Sequence, residues 1–168
     1  MLRNSVRRWL YRGRHASRLA RLLNATQARL AARGLGPSWL VMVEVTGRRT
    51  GRTISFPAVV AEYENERYLV SMLGEDTNWV RNVRASGGRA VLRHGDRRKV
   101  QLREVDVDRR APILRCYLQR APGARAHIPV DYQAPVEAFE PIAAQYPVFH
   151  VTLAGEPAGT GGPSTTQS

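Results

Sequence analysis

The chain of 168 residues contains one cysteine, Cys116. A single thiol can form neither a disulfide within the chain nor a multi-cysteine metal site, so a disulfide scaffold is excluded and a reducing compartment fits. His15, His94, His127 and His150 are scattered without metal-ligand spacing and read as surface or core histidines. No stretch approaches the ~18 uncharged apolar residues of a membrane span, and the longest apolar-leaning run is 34–43. Internal repeats are absent, as is any motif that pairs carboxylates, or a nucleophile with its base, for catalysis.

Acid is missing from the beginning of the sequence. The first acidic residue is Glu44, and residues 1–43 hold nine arginines. They account for +9 of the net +12, leaving a nearly balanced +3 for residues 44–168. A charge-driven partner would therefore meet an N-terminal arm rather than the body of the protein. Ser5-Val6-Arg7-Arg8-Trp9-Leu10 has the opening of a twin-arginine export signal, but Arg12, Arg14, Arg18 and Arg21 fall where its apolar region should lie, which argues against secretion. The arm also has the composition of an organelle transit peptide, and the sequence alone leaves that alternative open.

What is present is an ordinary globular composition, 43% hydrophobic and 24% charged, long enough for one self-supporting domain. In the arm, Leu19, Leu22, Leu23, Thr26 and Leu30 recur at helical spacing beside Arg14, Arg18, Arg29 and Arg33. From Trp39 the period changes to two: Trp39, Val41, Val43 and Val45 alternate with Leu40, Met42, Glu44 and Thr46, predicting a strand buried on both faces over its first half. Further strands are expected at 52–63, interrupted or bulged at Pro57, and at 67–73, 89–93, 97–107 and 148–153. A short helix carrying Trp79, Val80 and Val83 is expected between Asp76 or Thr77 and Gly87-Gly88. Asp108 is expected to cap a helix reaching Arg120, and 136–145 reads as another helix. The order predicts an α+β protein with an antiparallel barrel and peripheral helices. Its segments are an arginine-rich helical arm at 1–36, a barrel domain at 37–154, and a low-complexity tail at 155–168 expected to be disordered.

Gly47-Arg48-Arg49-Thr50-Gly51-Arg52 is the most suggestive segment. Two glycines let the backbone turn with amides exposed, and three guanidinium groups with one hydroxyl suit a phosphodiester or carboxylate of an anionic cofactor. The same composition also serves a basic hairpin turn that merely keeps an edge soluble. Ser71-Met72-Leu73-Gly74 ends a strand and precedes Asn78-Trp79 and Asn82. Glycine after an apolar strand admits a planar ring, with Trp79 supplying area and Asn82 donors; equally, Trp79 serves as a core anchor. Cys116 lies among apolar helix positions as an inert thiol, and capping suffices to explain Asp106 and Asp108.

Taken together, Thr46-Gly47-Arg48-Arg49-Thr50-Gly51-Arg52, Pro57, Tyr68-Leu69-Val70-Ser71 and Asn78-Trp79-Val80-Arg81-Asn82-Val83-Arg84-Ala85 resemble the deazaflavin-dependent nitroreductase and quinone reductase family, whose members have a split β-barrel fold. The resemblance spans about sixty residues, 45–103. It implies reduced coenzyme F-420 (an 8-hydroxy-5-deazaflavin) in a barrel groove, donating a hydride to a small quinone-, nitro- or enone-like acceptor. On this chain it assigns Arg48, Arg49, Thr50 and Arg52 to the phosphate and oligoglutamate tail, and Pro57 to shaping the groove. Ser71, with Met72, Leu73 and Gly74, would face the ring, while Trp79 and Asn82 would close the site. Ser71 or a tyrosine would relay a proton to the reduced product. Many members carry a longer Gly-Gly- and Pro-containing loop between the serine strand and the tryptophan; here it is only 73–78.

Other ligands of the same fold, FMN or heme and other tetrapyrroles, are the alternative cofactors, and a non-catalytic lipid- or nucleic-acid-binding protein is the alternative class. Nucleic acid is the weaker partner, because the acid-free amphipathic arm better suits an anionic membrane surface. The expected location is cytoplasmic, with peripheral contact on the inner membrane face, and a homodimer is compatible with the fold.

Overall fold

The computed structural model describes residues 33–155. The expectations for the arm before residue 33 and for the tail after 155 lie outside the described residues. Within them the chain runs β1 (Leu40–Thr46), β2 (Thr53–Tyr63), β3 (Glu66–Val70), α1 (Asn78–Ala85), β4 (Arg89–His94), β5 (Asp96–Glu104), α2 (Arg110–Arg120) and β6 (Val148–Leu153). The six strands close into an antiparallel barrel in the order β1-β2-β3-β6-β5-β4.

Alternation builds this barrel. Val41, Val43 and Val45 point inward with Val60, Leu69, Leu92, Val100, Leu102 and Phe149, and α1 adds Val80 and Val83 to the same cluster. Period-two patterning puts every second residue of a strand on one face, so burying that face fixes the register of the whole barrel. The outward residues of β1 (Leu40, Met42 and Glu44) are half-buried, so only the inner face is fully covered, contrary to the expectation of burial on both. A second cluster packs α2, through Ile113, Leu114, Tyr117 and Leu118, against the outside of β2, β3 and β6 together with Phe139 and Ile128.

Pro57 does not bulge its strand. The β1–β2 register is continuous from Leu40↔Val59 to Thr46↔Thr53, with Pro57 opposite Met42. Pairing of β2 with β3 covers only Val60–Tyr63 against Leu69–Glu66, so Pro57 lies on the half of β2 that β3 does not reach. There a missing N–H costs no ladder bond on the β3 side. The β2–β3 hairpin closes through Glu64 and Asn65, both at positive φ (50° and 61°), the geometry of a two-residue type I′ turn.

Several boundaries differ from the sequence reading. β3 stops at Val70 rather than 73, and β5 stops at Glu104 rather than 107. Asp108 caps nothing: Val107–Arg109 form a 3-10 turn, and α2 begins at Arg110 with Arg109 in the capping position. Residues Val136–Gln145 are 3-10 helix rather than α-helix, with Pro141 inside.

Candidate functional site

The turn between β1 and β2 is locked from inside and outside. Gly51 N donates to Gly47 O (2.8 Å), and Gly47 N donates to Arg52 O (2.8 Å). Gly51 sits at φ +69°, a conformation that a side chain would strain. Asn82, only 2% exposed, accepts through Oδ1 from both the backbone N (3.2 Å) and Nη1 (2.9 Å) of Arg48. Asn78 Oδ1 accepts from the same guanidinium at 3.4–3.5 Å. Helix α1 thus holds the turn through its exposed and buried asparagines, and Arg48 is committed to that role.

Arg49 and Arg52 are exposed and make no ion pair or side-chain hydrogen bond with other described residues. Thr50 Oγ1 accepts from Arg52 N (3.3 Å). Two unpaired guanidinium groups on a glycine turn that contains no carboxylate form a donor set matched to phosphate or carboxylate oxygens. This chemistry fits the anionic tail of coenzyme F-420.

The N-terminus of the same helix holds the other half of the site. Ser71 is buried at 1% exposure; its Oγ donates to Gly74 O (2.7 Å) and lies 3.1 Å from Thr77 Oγ1. Its N donates to Pro147 O (2.9 Å), tying the strand end to the segment before β6. The hydroxyl therefore closes the 71–77 loop on itself rather than standing free toward a ligand. Thr77 occupies the helix capping position but makes no capping bond; its hydroxyl serves the loop instead. Trp79, half-buried, packs between Phe56 on β2 and Phe149 on β6, each 5.4 Å away between ring centroids.

A cavity of about 270 Å³ opens beside this loop, walled on one side by Met72, Leu73 and Gly74 and on the other by His127, Gln145 and Tyr146. Leu73 is 62% exposed at this wall. The hydroxyl of Tyr146 donates to His127 O (3.0 Å), and burial raises its pKa above the usual phenol value. The 73–78 loop is also braced by charge. Arg84 donates to Glu75 (2.5 Å) and, through Nε and Nη2, to both carboxylate oxygens of Glu104 (2.9 and 2.7 Å). Buried Arg110 binds the same Glu104 (3.1 Å) and reaches the carbonyls of Val105 (2.9 Å), Ala143 (3.3 Å) and Tyr146 (3.5 Å). Hydrogen bonding from Arg84, then from Arg110, holds the Glu104 carboxyl below the usual carboxylate range. Glu104 consequently links both walls of the cavity.

The structure brings Arg48, Asn78 and Asn82 into direct contact, and Ser71, Gly74 and Thr77 into another set. Pro57 stands on the half of β2 that β3 does not reach, apart from both. The second wall of the cavity and the Glu104 hub escaped the sequence reading. One signal for Arg110 was available: it falls at helical spacing with Leu114, Tyr117 and Leu118, on the apolar face of α2. Cys116 is half-buried, and burial pushes its thiol pKa up, as expected of an unreactive cysteine. Among the described residues there is no cluster of potential metal ligands, and no helix long and apolar enough to cross a membrane.

No protein of curated function matches the chain significantly. Among solved structures, one from Agrobacterium tumefaciens, described as a protein of unknown function, shares 13% identity over 76% of this chain and 53% of its own, with a TM-score of 0.50. An F420-H2 dependent reductase, FDR-A, shares 17% identity over 68% of this chain and 95% of its own, with a TM-score of 0.45. Another, described as a domain-swapped dimer, shares 16% identity over 88% of this chain and all of its own, with a TM-score of 0.49. The family model of the F420H2-dependent quinone reductases matches residues 14–141, most of the chain and all of the turn, loop and hub described above. The chain therefore belongs to the F420H2-dependent quinone reductase family and is an oxidoreductase that uses coenzyme F-420.

Proposed function

We propose that the protein reduces a small, planar carbonyl acceptor of the quinone type at the cavity beside residues 72–74. The cavity carries this reading. At about 270 Å³ it is smaller than the ~300–1,000 Å³ typical of drug-sized ligands, which suits an acceptor of one or two rings. Met72 and Leu73 offer it an apolar wall, while Gln145 and His127 offer polar atoms. Nitro and enone acceptors of similar size share this chemistry and are ranked by the same test.

When bound, the reduced cofactor supplies the hydride. Arg49, Arg52 and Thr50 would bind its anionic tail, with Arg48 and Asn82 keeping the turn in place. The backbone of Met72, Leu73 and Gly74 would flank the ring, and Trp79 would close the groove from the barrel interior. Orientation and exclusion of water are the protein's main contributions, and holding the reacting groups at attack distance can supply ~7–11 kcal/mol of the barrier.

The test combines fluorescence titration of oxidised coenzyme F-420 with steady-state oxidation of the reduced form by a menadione, nitroaromatic and cyclohexenone panel. Saturable quenching in the intact protein, abolished or strongly weakened by Arg49→Ala, together with the highest kcat/KM for menadione, supports the reading. Absence of quenching, or turnover restricted to the nitroaromatic, overturns it.

A further inference from the structure

The reduction leaves a proton to be delivered, and the two hydroxyls nearest the cavity are already engaged. Ser71 Oγ donates to Gly74 O at 2.7 Å inside the loop, and Tyr146 OH donates to His127 O at 3.0 Å. Releasing either proton would break a bond that shapes the cavity wall. His127 differs: it is exposed, it is among the residues lining the cavity, and its side chain has no hydrogen-bond partner among the described residues. Its backbone, in contrast, is fixed, with N donating to Ala124 O (2.9 Å) and O accepting from Tyr146. An exposed imidazole on a fixed backbone at the edge of a cavity is placed to deliver protons and be recharged from solvent.

We infer that His127 is the proton donor to the acceptor in this pocket, a catalytic residue for the reaction proposed above. The inference rests on that reading of the acceptor site. In the step, the acceptor gains two electrons and one hydrogen as hydride, and its developing oxyanion takes a proton from the protonated His127 ring. An imidazolium N–H bond breaks and an O–H bond forms. The neutral imidazole then regains a proton from water, so the net change is acceptor plus hydride plus proton to the dihydro product.

Few other groups around the cavity can titrate near neutrality. From the C-terminal wall Tyr146 lines the same cavity, and burial raises its phenol above the ordinary value. On the loop of His127 itself, Arg125 lies over the Tyr132 ring at 3.7 Å and donates to Leu118 O and Gln119 O. The opposite wall, Met72, Leu73 and Gly74, carries no charge; Glu75 beyond it is paired with Arg84. Histidine is the side chain whose unperturbed pKa puts its charge change between pH 5 and 8.

The experiment compares the intact protein with His127→Gln, an exposed substitution that keeps the backbone contacts. First, cofactor-free protein labelled with ¹⁵N-histidine is titrated with menadione and observed by NMR. The inference expects the signal missing from His127→Gln to shift on binding; a shift confined to other histidines overturns it. Second, single-turnover oxidation of bound reduced coenzyme F-420 by menadione is followed against pH. The expected result is a rate that falls as pH rises through the imidazole range in the intact protein. In His127→Gln the profile should be flat and the rate lower by ~10²–10⁴-fold, while the Kd for oxidised cofactor stays within twofold. If the intact protein turns over and His127→Gln matches its rate and profile, the inference fails while the functional reading stands. If the intact protein does not oxidise the reduced cofactor with any quinone, the functional reading fails and takes the inference with it.

Discussion

Asn82 holds Arg48 twice through one oxygen, accepting from its backbone N at 3.2 Å and from its guanidinium at 2.9 Å. Because Asn82 is buried in the helix that also anchors the 71–77 loop, this contact couples the arginine-rich turn to the cavity. Asn82→Ala leaves two donors without their acceptor, a loss worth about 1–3 kcal/mol. We expect a lower Tm and roughly tenfold weaker binding of oxidised coenzyme F-420 by fluorescence quenching. Asn78→Ala removes only the long, exposed contacts at 3.4–3.5 Å, so its Kd should stay within about twofold of the parent. Equal effects from the two substitutions would contradict this division of labour.

Arg49 and Arg52 stand apart from that scaffold, so their removal should separate binding from folding. Arg49→Ala and Arg52→Ala are each expected to weaken cofactor binding about tenfold or more, since charge-assisted bonds to phosphate are among the strong ones. The melting temperature should change by less than a degree or two, because neither side chain pairs with another described residue. Raising the salt concentration should weaken binding by the parent more than by the double substitution, as screening acts on the same charges. Titrations at two ionic strengths, run beside thermal melts, check both expectations.

How far the sequence could be read follows from how local each signal is. The barrel strands are visible where inward residues recur at every second position, as Val41, Val43 and Val45 do in β1 and Val100 and Leu102 in β5. The turn at 47–52 was visible because its glycines and arginines are adjacent. Pro57 misled, since proline's missing N–H matters only on a paired edge, and whether β3 reaches that edge is a tertiary fact. Asp108 was read as a cap because its type fits, while the helix start was decided by Arg110 reaching carbonyls 33 and 36 residues away. The cavity joins Met72 to Tyr146, and Glu104 joins residues from three elements; no window of sequence contains either set. Arginine was too abundant here for any one guanidinium to stand out as buried.

The Glu104 hub gives a pH-dependent prediction. Its carboxyl is held below the usual range by hydrogen bonds from Arg84 and Arg110, so the folded state favours the charged form. A depressed pKa contributes stability that is present above the unfolded value of ~4.3 and is lost as pH falls through the folded value. Glu104→Gln should therefore cost about 1–2 kcal/mol at pH 7 by urea denaturation, less than the ~3–5 of a fully buried pair because the side chain is 30% exposed. As pH falls below about 4, the difference between the two proteins should narrow. A constant difference from pH 7 to pH 3 would mean that the hub acts through packing and not through charge.

Tyr117 supplies the opposite sign at the alkaline end. Burial in the α2 cluster pushes its phenol up to about 12, from an ordinary value of 10. The folded state thus holds its proton more tightly, and the corresponding stability is complete below pH 10 and lost as pH rises through 12. Two units correspond to about 2–3 kcal/mol. Unfolding measured between pH 9 and 12 should show a decline that Tyr117→Phe reduces, and ultraviolet titration below pH 11 should count the same number of ionising tyrosines in both proteins.

Gly74 joins the loop to the cavity, and its backbone makes it the sharpest probe of that wall. It sits at φ +90°, and a Cβ there would lie 3.3 Å from Gln145 O, on the opposite wall. Gly74→Ala therefore pays backbone strain of about 1–3 kcal/mol and pushes the walls apart. For a domain of this size, each kcal/mol lowers Tm by roughly 2–4 °C. Because the 47–52 turn is held by Asn82 and not by this loop, the tail contacts proposed for it should persist while those of 72–74 to the ring are disturbed, so cofactor affinity should fall less than acceptor use. We expect KM for menadione to rise several-fold while the Kd for oxidised coenzyme F-420 changes less than threefold. A proportional loss of both would place the acceptor away from the 72–74 loop.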